Sequence, residues 1–307
     1  MKLMILVIAL LLFGIIPQSD LLQSQDAGRT KELATAVKLS AEVVRLYNEG
    51  RYKDALPLAQ QVVEIRQRFL SPDDVLLGDA LFNLGEMYLA EKKTSEADNL
   101  FQRCLAIYES HSDSNKVVIA RILERLAHIR VLKSDYDGAA PLYLRSVSIR
   151  EKEQGESNPT TINAMKNYAC TDLLAHGNRA NVLRDDLHPT KMVLNRRAIC
   201  WLGEFVDNCA EETQAVAEDV LNSKAITLVH PPYPPAARKN HLSGKVIVAV
   251  LIDELGNIIK ARSVCGGHSD LNTVAVNAAR LSKFSPRFVN QKPMKVTGVL
   301  VYSFVAQ

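Results

Sequence analysis

Cysteine and histidine are the residue types in this sequence best suited to redox chemistry, nucleophilic catalysis or metal binding. The five cysteines include no Cys-x-x-Cys pair, so neither a dithiol redox centre nor a zinc site is predicted. The seven histidines are scattered along the chain. The sequence also lacks the His-Glu-x-x-His, Gly-x-Ser-x-Gly, Gly-x-Gly-x-x-Gly and P-loop motifs. We therefore predict that the protein is not an enzyme and holds neither a cofactor nor a metal ion.

The number and positions of the cysteines bear on the compartment and on the core. Five is an odd number, so at least one cysteine is unpaired or bonded between chains. Cys104 and Cys170 occupy small-residue positions of predicted helices, which predicts buried core thiols. Cys200 and Cys209 are the only close pair. An oxidising compartment would allow them to join, but their spacing leaves their redox state open.

Composition predicts an ordinary globular protein. The chain has 307 residues, of which 47% are apolar and 23% charged, and its formal net charge is +3. This length predicts about two domains with substantial cores. A net charge so close to zero gives no reason to expect nucleic acid as a partner.

The amino terminus is predicted to be an export signal. Met1-Lys2 precedes the unbroken apolar run 3–16, which is typical of a secretory signal peptide and shorter than the ~20 residues that span a bilayer. No clear cleavage site follows, so residues 1–19 are either a cleaved signal peptide or a short inner-membrane anchor. In both cases the rest of the chain is expected outside the cytoplasm.

A repeat with a period of 42 residues follows. Each unit has the apolar periodicity of two helices joined by a turn. In the second unit Leu81, Leu84, Gly85 and Tyr88 form one stripe, in which glycine indicates a close helix crossing. A small alanine marks the contact between the two helices of each unit. The predicted repeat-packing residues are Ala55, Leu84, Gly85, Tyr88, Ala97, Phe101 and Ala139.

These units resemble the tetratricopeptide repeat, in the 42-residue variety of kinesin light chains. The resemblance is carried by the run Leu81-Phe82-Asn83-Leu84-Gly85-Glu86-Met87-Tyr88, followed by Ala97 and Phe101. It implies an all-α solenoid over residues 31–187, with three repeats and a degraded fourth. Such a solenoid binds proteins or peptides in its groove, and the alternative is a spacer without a specific ligand.

A connector over residues 188–223 joins the repeats to a second domain at 224–307. The connector is expected to be partly structured, with Trp201 docked on a domain and a short acidic helix between Glu211 and Leu221. The second domain has the pattern of a small α+β fold: a β-hairpin over 244–264, a helix that begins near Asp270, and a last strand over 295–305. The strand 244–253 is apolar on both faces.

The second domain resembles the TonB carboxy-terminal domain. The resemblance rests on the family-motif residues Tyr233, Pro234, Gly244 and Gly256, together with Gly266, Phe284 and Tyr302. It implies a periplasmic or cell-envelope location, with the short amino-terminal segment as an inner-membrane anchor if it is not cleaved. It also implies that the domain binds an extended segment, such as one from an outer-membrane transporter, by strand addition. Thr297, Val299 and Val301 of the last strand are the candidate binding edge. Alternatively, this edge is covered by the Tyr233-Pro234 segment, by the connector, or by a second copy of the chain in a homodimer.

The fold class is therefore multidomain, a tetratricopeptide solenoid followed by a TonB-like domain of β-hairpin, helix and strand. The function favoured by this combination is that of an exported envelope adaptor or scaffold that binds proteins. The alternative is a TonB-type energy transducer, or an accessory, in transport across the outer membrane. Two features weigh against the alternative: the apolar run 3–16 contains neither serine nor histidine, and no proline-rich spacer is present.

Overall fold

The structure is a computed structural model that describes residues 18–111, 115–176, 216–266 and 268–306. The chain divides into two compact units, residues 1–126 and 127–307. Residues 1–17 of the predicted leader and most of the predicted connector lie outside the described residues, and so do Trp201, Cys200 and Cys209.

Seven long helices make up the repeat region of the described chain. They alternate between the first and second helices of the predicted units, and the seventh is the first helix of the fourth unit. Their bounds are α1 Gln18–Asn48, α2 Tyr52–Phe69, α3 Val75–Ala90, α4 Thr94–Ser110, α5 Lys116–Leu132, α6 Tyr136–Gln154 and α7 Pro159–His176. The predicted helical repeat architecture is thereby confirmed.

Local capping explains where several of these helices begin. The side chain of Asp74 accepts a hydrogen bond from the Leu76 amide at 2.8 Å, before the first turn of α3. Asp135 accepts from the Gly138 amide at 3.0 Å and caps α6 in the same way. Gly50, between α1 and α2, has a φ of 72°, a conformation that glycine adopts without steric penalty.

The contact between α3 and α4 depends on Gly85. A Cβ added at Gly85 would lie 2.8 Å from Cε1 of Phe101, which is itself fully buried. The rings of Phe82 and Phe101 meet edge to face, with their centroids 5.4 Å apart. Ala55, Ala97 and Ala139 are also fully buried, Leu84 is almost so, and Tyr88 is half-buried.

Cys104 lies in the same contact and is a buried free thiol, as predicted. Its Sγ donates a hydrogen bond to the Gly78 carbonyl oxygen at 3.2 Å. Burial raises the pKa of the thiol to about 12, so it is inert at neutral pH.

The carboxy-terminal domain is built on a four-stranded sheet in the order β1-β8-β3-β4. The strands are β1 Val216–Val220, β3 Gly244–Ile252, β4 Ile258–Cys265 and β8 Val296–Phe304. β3 is antiparallel to both β4 and β8, and β1 is parallel to β8. Helix α9, Ser269–Leu281, lies between β4 and β8 in the chain. The predicted hairpin, helix and last strand are confirmed.

Smaller elements complete this domain. β2 (Ala225–Thr227) pairs with β5 (Lys283–Phe284), and β6 (Arg287–Val289) pairs with β7 (Lys292–Met294). A 3-10 turn spans Asn222–Lys224, and a short helix α8 spans Pro235–Lys239.

The short acidic helix predicted between Glu211 and Leu221 is wrong in its described part, which is strand β1. An isolated helix of this length is unstable because nucleation outweighs the few hydrogen bonds it forms. Pairing with β8 instead satisfies the backbone groups of the segment along one side.

The sheet is covered on both faces. Val246, Val248 and Val250 of β3 pack with α9 in one core. Ile247 and Ala249 point the other way, into a core that α6 and α7 supply. The last helices of the repeat region and the TonB-like sheet therefore share a core within the second unit.

A disulfide joins the two parts of this shared core. Cys170 of α7 is bonded to Cys265 of β4, with 5.7 Å between their Cα atoms. Nearby, Nζ of Lys245 donates to the Leu174 carbonyl oxygen at 2.8 Å, close to the carboxy-terminal end of α7. The prediction that Cys170 is a core thiol is wrong, because the sheet that packs on α7 brings Cys265 to it.

Gly85→Ala is expected to destabilise the repeat region by about 1–3 kcal/mol, since the added methyl overlaps the buried Phe101 ring. Gly28→Ala is the matched control: Gly28 lies in α1, a Cβ added there would contact no other part of the structure within 4 Å, and helix propensity favours alanine by about 1 kcal/mol. Thermal denaturation followed by circular dichroism measures both variants. A rise in melting temperature for Gly85→Ala would contradict the close crossing.

Reduction of the Cys170–Cys265 bond is expected to destabilise the second compact unit, residues 127–307. The disulfide closes a loop of 95 residues, for which chain entropy gives about 4–5 kcal/mol of stabilisation. The melting temperature of the wild type should fall when a thiol reductant is added. The Cys170→Ser/Cys265→Ser double variant is the control, because its melting temperature should already be low and should not respond to reductant. An equal response in both proteins would assign the effect to other cysteines.

Candidate functional site

The outer side of strand β8 is the candidate site. β8 pairs with β3 in a continuous register, from Gly244 opposite Phe304 to Ile252 opposite Val296. Peptide groups alternate in direction along a strand, so every second residue of β8 turns its N–H and C=O groups away from β3. Val299 and Val301 make hydrogen bonds on this outer side, to Leu221 and Asn222 respectively. The residues whose backbone groups face away from β3 are therefore the predicted set, Thr297, Val299 and Val301.

This side of β8 is not a free edge. β1 pairs with it in parallel, with Val216 opposite Val296, Ala217 opposite Thr297, and Val220 opposite Val299. The sequence analysis named three segments that could cover this edge. The structure shows the connector there, because β1 lies within residues 188–223. The expectation that β8 forms an open edge is therefore corrected: β1 is the outermost strand on this side of the sheet.

Two residues after β1 continue the hydrogen bonding along β8. The Leu221 amide donates to the Val299 carbonyl oxygen at 2.8 Å. Asn222 then uses its side chain: Oδ1 accepts from the Val301 amide at 2.8 Å, and Nδ2 donates to the Val301 carbonyl oxygen at 2.7 Å. The carboxamide thus takes the place of a peptide group in the next position of a strand.

Side chains on β8 show where recognition is accessible. Val299 is fully buried against the core shared with α6 and α7, and Val301 packs on the same core. Thr297 is half-buried, whereas Ser303 is exposed. A segment paired along this side of β8 would therefore meet main-chain hydrogen-bonding groups more than side-chain pockets.

The family-motif residues hold the other end of the domain together. The Tyr233 hydroxyl donates to the Leu242 carbonyl oxygen, and its ring meets the Phe304 ring edge to face at 6.1 Å. Pro234 precedes helix α8 and Gly244 begins β3. The Tyr233-Pro234 segment thus packs on the α9 side of the sheet and is not a strand of it.

Gly256 has a specific steric role in the turn between β3 and β4. Its φ is 87°, and an added Cβ would overlap the Phe284 carbonyl oxygen. The Gly256 carbonyl oxygen also accepts a hydrogen bond from the Phe284 amide at 2.9 Å. Only glycine combines this backbone conformation with this approach.

Comparison with known protein families agrees with this geometry. Residues 31–110 match the tetratricopeptide repeat family, and residues 229–305 match the family described as Gram-negative bacterial TonB protein C-terminal. The chain carries tetratricopeptide repeats and a TonB carboxy-terminal domain. No match was found among curated proteins.

Several solved structures are similar to part of this chain at low sequence identity. A kinesin light chain from Podosopora anserina with nearly identical TPR-like repeats is 19% identical, covers 53% of this chain and 83% of its own, and has a TM-score of 0.44. BtubC (BKLC) from P. vanneervenii is 18% identical, with coverages of 60% and 82% and a TM-score of 0.40. YrrB, described as a TPR protein with an unusual peptide-binding site, is 14% identical, with coverages of 58% and 77% and a TM-score of 0.38.

The tetratricopeptide helices of the first compact unit, residues 1–126, share a polar contact that the sequence did not reveal. Glu86 of α3 accepts from the Tyr47 hydroxyl of α1 at 3.0 Å, and its other oxygen lies 2.6 Å from Nε of Arg125 in α5. Burial and the neighbouring Glu86 charge raise the pKa of Tyr47. The three residues come from the first helices of successive repeats, and no local motif marks them.

The far edge of the TonB sheet is β4, and it differs from β8. β4 is the last strand on its side of the described sheet. Its exposed side chains include Lys260 and Arg262, and charged residues are a common protection for edge strands. Cys265, its last residue, is bonded to Cys170.

The described residues contain neither a cluster of metal-binding side chains nor a helix suited to span a membrane. Across residues 18–111, 115–176, 216–266 and 268–306, no group of three or more His, Cys, Asp or Glu side chains is placed to hold a metal ion. Within the same ranges, no helix has both the length and the apolar character required to cross a membrane.

Asn222→Ala is expected to deprotect one amide of the TonB domain selectively. It removes the acceptor of the Val301 N–H, so hydrogen exchange at Val301 should accelerate about tenfold. Leu300 is the internal control, because its peptide group faces β3, where it pairs with Val248. Residue-resolved hydrogen exchange measures both. Unchanged protection at Val301 would show that the Asn222 carboxamide does not cover this position in solution.

Proposed function

We propose that the protein is an exported adaptor of a Gram-negative-type cell envelope. Its tetratricopeptide repeats bind one protein or peptide, and its TonB domain binds an extended segment of another protein by strand addition to β8. The observation that carries this proposal is the parallel pairing of β1 with β8. A side of β8 that pairs with one extended segment has the geometry to pair with another.

The chemistry of the chain supports an envelope location. Disulfides persist mainly in oxidising compartments, and the structure contains the Cys170–Cys265 bond. The apolar run 3–16 after Met1-Lys2 is typical of an export signal. The match of residues 229–305 to a Gram-negative bacterial family points to the same location.

The repeats support the second binding function. Tetratricopeptide units expose the first helix of each repeat along one surface, and such surfaces bind proteins and peptides. In the first unit, the contacts of Glu86 with Tyr47 and Arg125 join three of these helices. Arg121 lies over the Phe82 ring at 4.3 Å, a cation–π contact that adds to this link. Because these contacts hold the first helices of successive repeats together, the surface that they form is suited to bind a ligand without large rearrangement.

The second candidate is a role in TonB-type transport, as an energy transducer or accessory. The observation that favours it is the match of residues 229–305 to the TonB carboxy-terminal family. In this case the segment captured by β8 would belong to an outer-membrane transporter. The two candidates share the binding step and differ in the protein that is bound.

Site-specific photocrosslinking in cells tests both candidates. A photoreactive residue at Ser303, which is exposed at the end of β8, should capture a partner. The matched control is the same residue at Arg262, exposed on β4, which should capture little. Mass spectrometry identifies the adducts.

The identity of the adducts separates the candidates. Envelope proteins other than transporters would support the adaptor, whereas β-barrel transporters would support the transport role. Adducts from Arg262 in the absence of any from Ser303 would contradict strand addition to β8.

A further inference from the structure

The side of β8 that faces away from β3 is covered by a continuous segment of the chain itself. We call residues 216–222 the resident strand: β1, then Leu221, then Asn222. It pairs with β8 from Val296 to Val299 through β1, bonds to Val299 through the Leu221 amide, and bonds to Val301 through the Asn222 carboxamide. A partner segment that binds β8 must therefore occupy positions that the chain already fills.

We propose that the resident strand is an autoinhibitory occupant of the TonB domain, and that a partner binds by displacing it. This inference rests on the proposed strand addition to β8. The displacing segment is an extended peptide that runs parallel to β8 and is built like the resident strand, whose sequence is Val-Ala-Glu-Asp-Val-Leu-Asn.

The pairing of β1 has the features of a removable strand. β1 has five residues, whereas β3 and β8 have nine each. It is parallel to β8, and parallel pairing is slightly weaker per residue than antiparallel pairing. Its register also shifts between Ala217 and Val220, whereas the β3–β8 register is unbroken. Within the described sheet, β1 is bonded on one side only.

At Asn222 a displacing segment could replace a side-chain hydrogen bond with a main-chain one. Its side-chain amide satisfies Val301 in place of a backbone amide. A partner that continues as a strand past this point would supply a true peptide group there and would extend toward the exposed Ser303. A partner longer than the resident strand therefore gains hydrogen bonds that the resident strand does not make.

Leu221 explains why the resident strand stays in place without a partner. Its side chain is 1% exposed and lies in the core with Leu300 and Phe284. This apolar anchor adds to the hydrogen bonds of β1 and holds the segment next to β8. Weakening the hydrogen bonds while the anchor remains is the most conservative way to release the edge.

A synthetic peptide tests the proposal on the full chain. The probe is a fluorescent peptide with the sequence Val-Ala-Glu-Asp-Val-Leu-Asn, and its affinity is measured by anisotropy. Asn222→Asp removes the donor to Val301 and places a carboxylate next to its carbonyl oxygen, so the resident strand should release. The variant should bind the probe at least tenfold more tightly than the wild type. In the wild type the resident strand occupies β8, which lowers the fraction of molecules that can bind the probe. Asn240→Asp, at an exposed position, is the matched control and should bind like the wild type.

A second pair of variants tests the same step through the backbone. Leu221→Pro removes the N–H that donates to Val299 together with the buried Leu221 side chain, and it should also strengthen probe binding at least tenfold. Val220→Pro is its control, because in this register the N–H of Val220 points away from β8. Retention of the Cys170–Cys265 bond and a cooperative melt establish that each variant is folded. If Leu221→Pro fails this check, the Asn222→Asp comparison decides alone.

The outcomes separate this inference from the proposed function. Equal affinity of the wild type and Asn222→Asp for the probe would overturn autoinhibition and leave strand addition supported. No binding of the probe by any folded variant would also overturn the inference. Strand addition itself would then be judged by capture from Ser303 in cells. If Asn222→Asp and Leu221→Pro bind the probe more tightly while Asn240→Asp and Val220→Pro bind like the wild type, the resident strand is supported as the occupant of β8.

Discussion

Burial of β3 on both faces is the constraint on which the second unit depends. Its residues from Val246 to Val250 are all fully buried, and they alternate between two cores. One core is closed by α9 and the other by α6 and α7. Each fully buried aliphatic side chain contributes about 1.5–3 kcal/mol, so exposure of Ile247 and its neighbours on one face would be a large loss. The last repeat helices are therefore part of the structural support of the TonB domain.

Much of this fold is local in origin and was predictable for that reason. The 42-residue register, the stripe with Gly85, the hairpin around Gly256 and the stripe of α9 each depend on residues close in the chain. The sequence analysis also noted that the strand 244–253 is apolar on both faces, but it placed a helix on only one face of the sheet. The identity of the second cover was not predictable, because the apolar stripe of α7 is the same whether it packs on a helix or on a sheet.

The Cys170–Cys265 bond and the cover of β8 are long-range features, and the sequence analysis missed the first and left the second open. Cys170 lies 95 residues from its partner, and its small size at a helix contact suits a thiol as well as a disulfide. Asn222 lies 79 residues from Val301, and a carboxamide that stands in for a peptide group has no local sequence pattern. The five residues of β1 are too few for periodicity to distinguish a strand from a helix.

The two outer sides of the described sheet differ physically, and this difference favours the β8 side for the interaction that we propose. On the β4 side, Lys260 and Arg262 expose charged side chains, which oppose the pairing of a further strand, and the Cys265 side chain joins the end of β4 to α7. On the β8 side the cover consists of a short parallel strand and one carboxamide, whose hydrogen bonds another backbone can replace one for one. A competing backbone can replace bonds of this kind, whereas exposed charges on an edge strand oppose the pairing of another strand. The strand exchange that we propose is therefore assigned to β8, where the competitor and the resident strand make the same kind of bond.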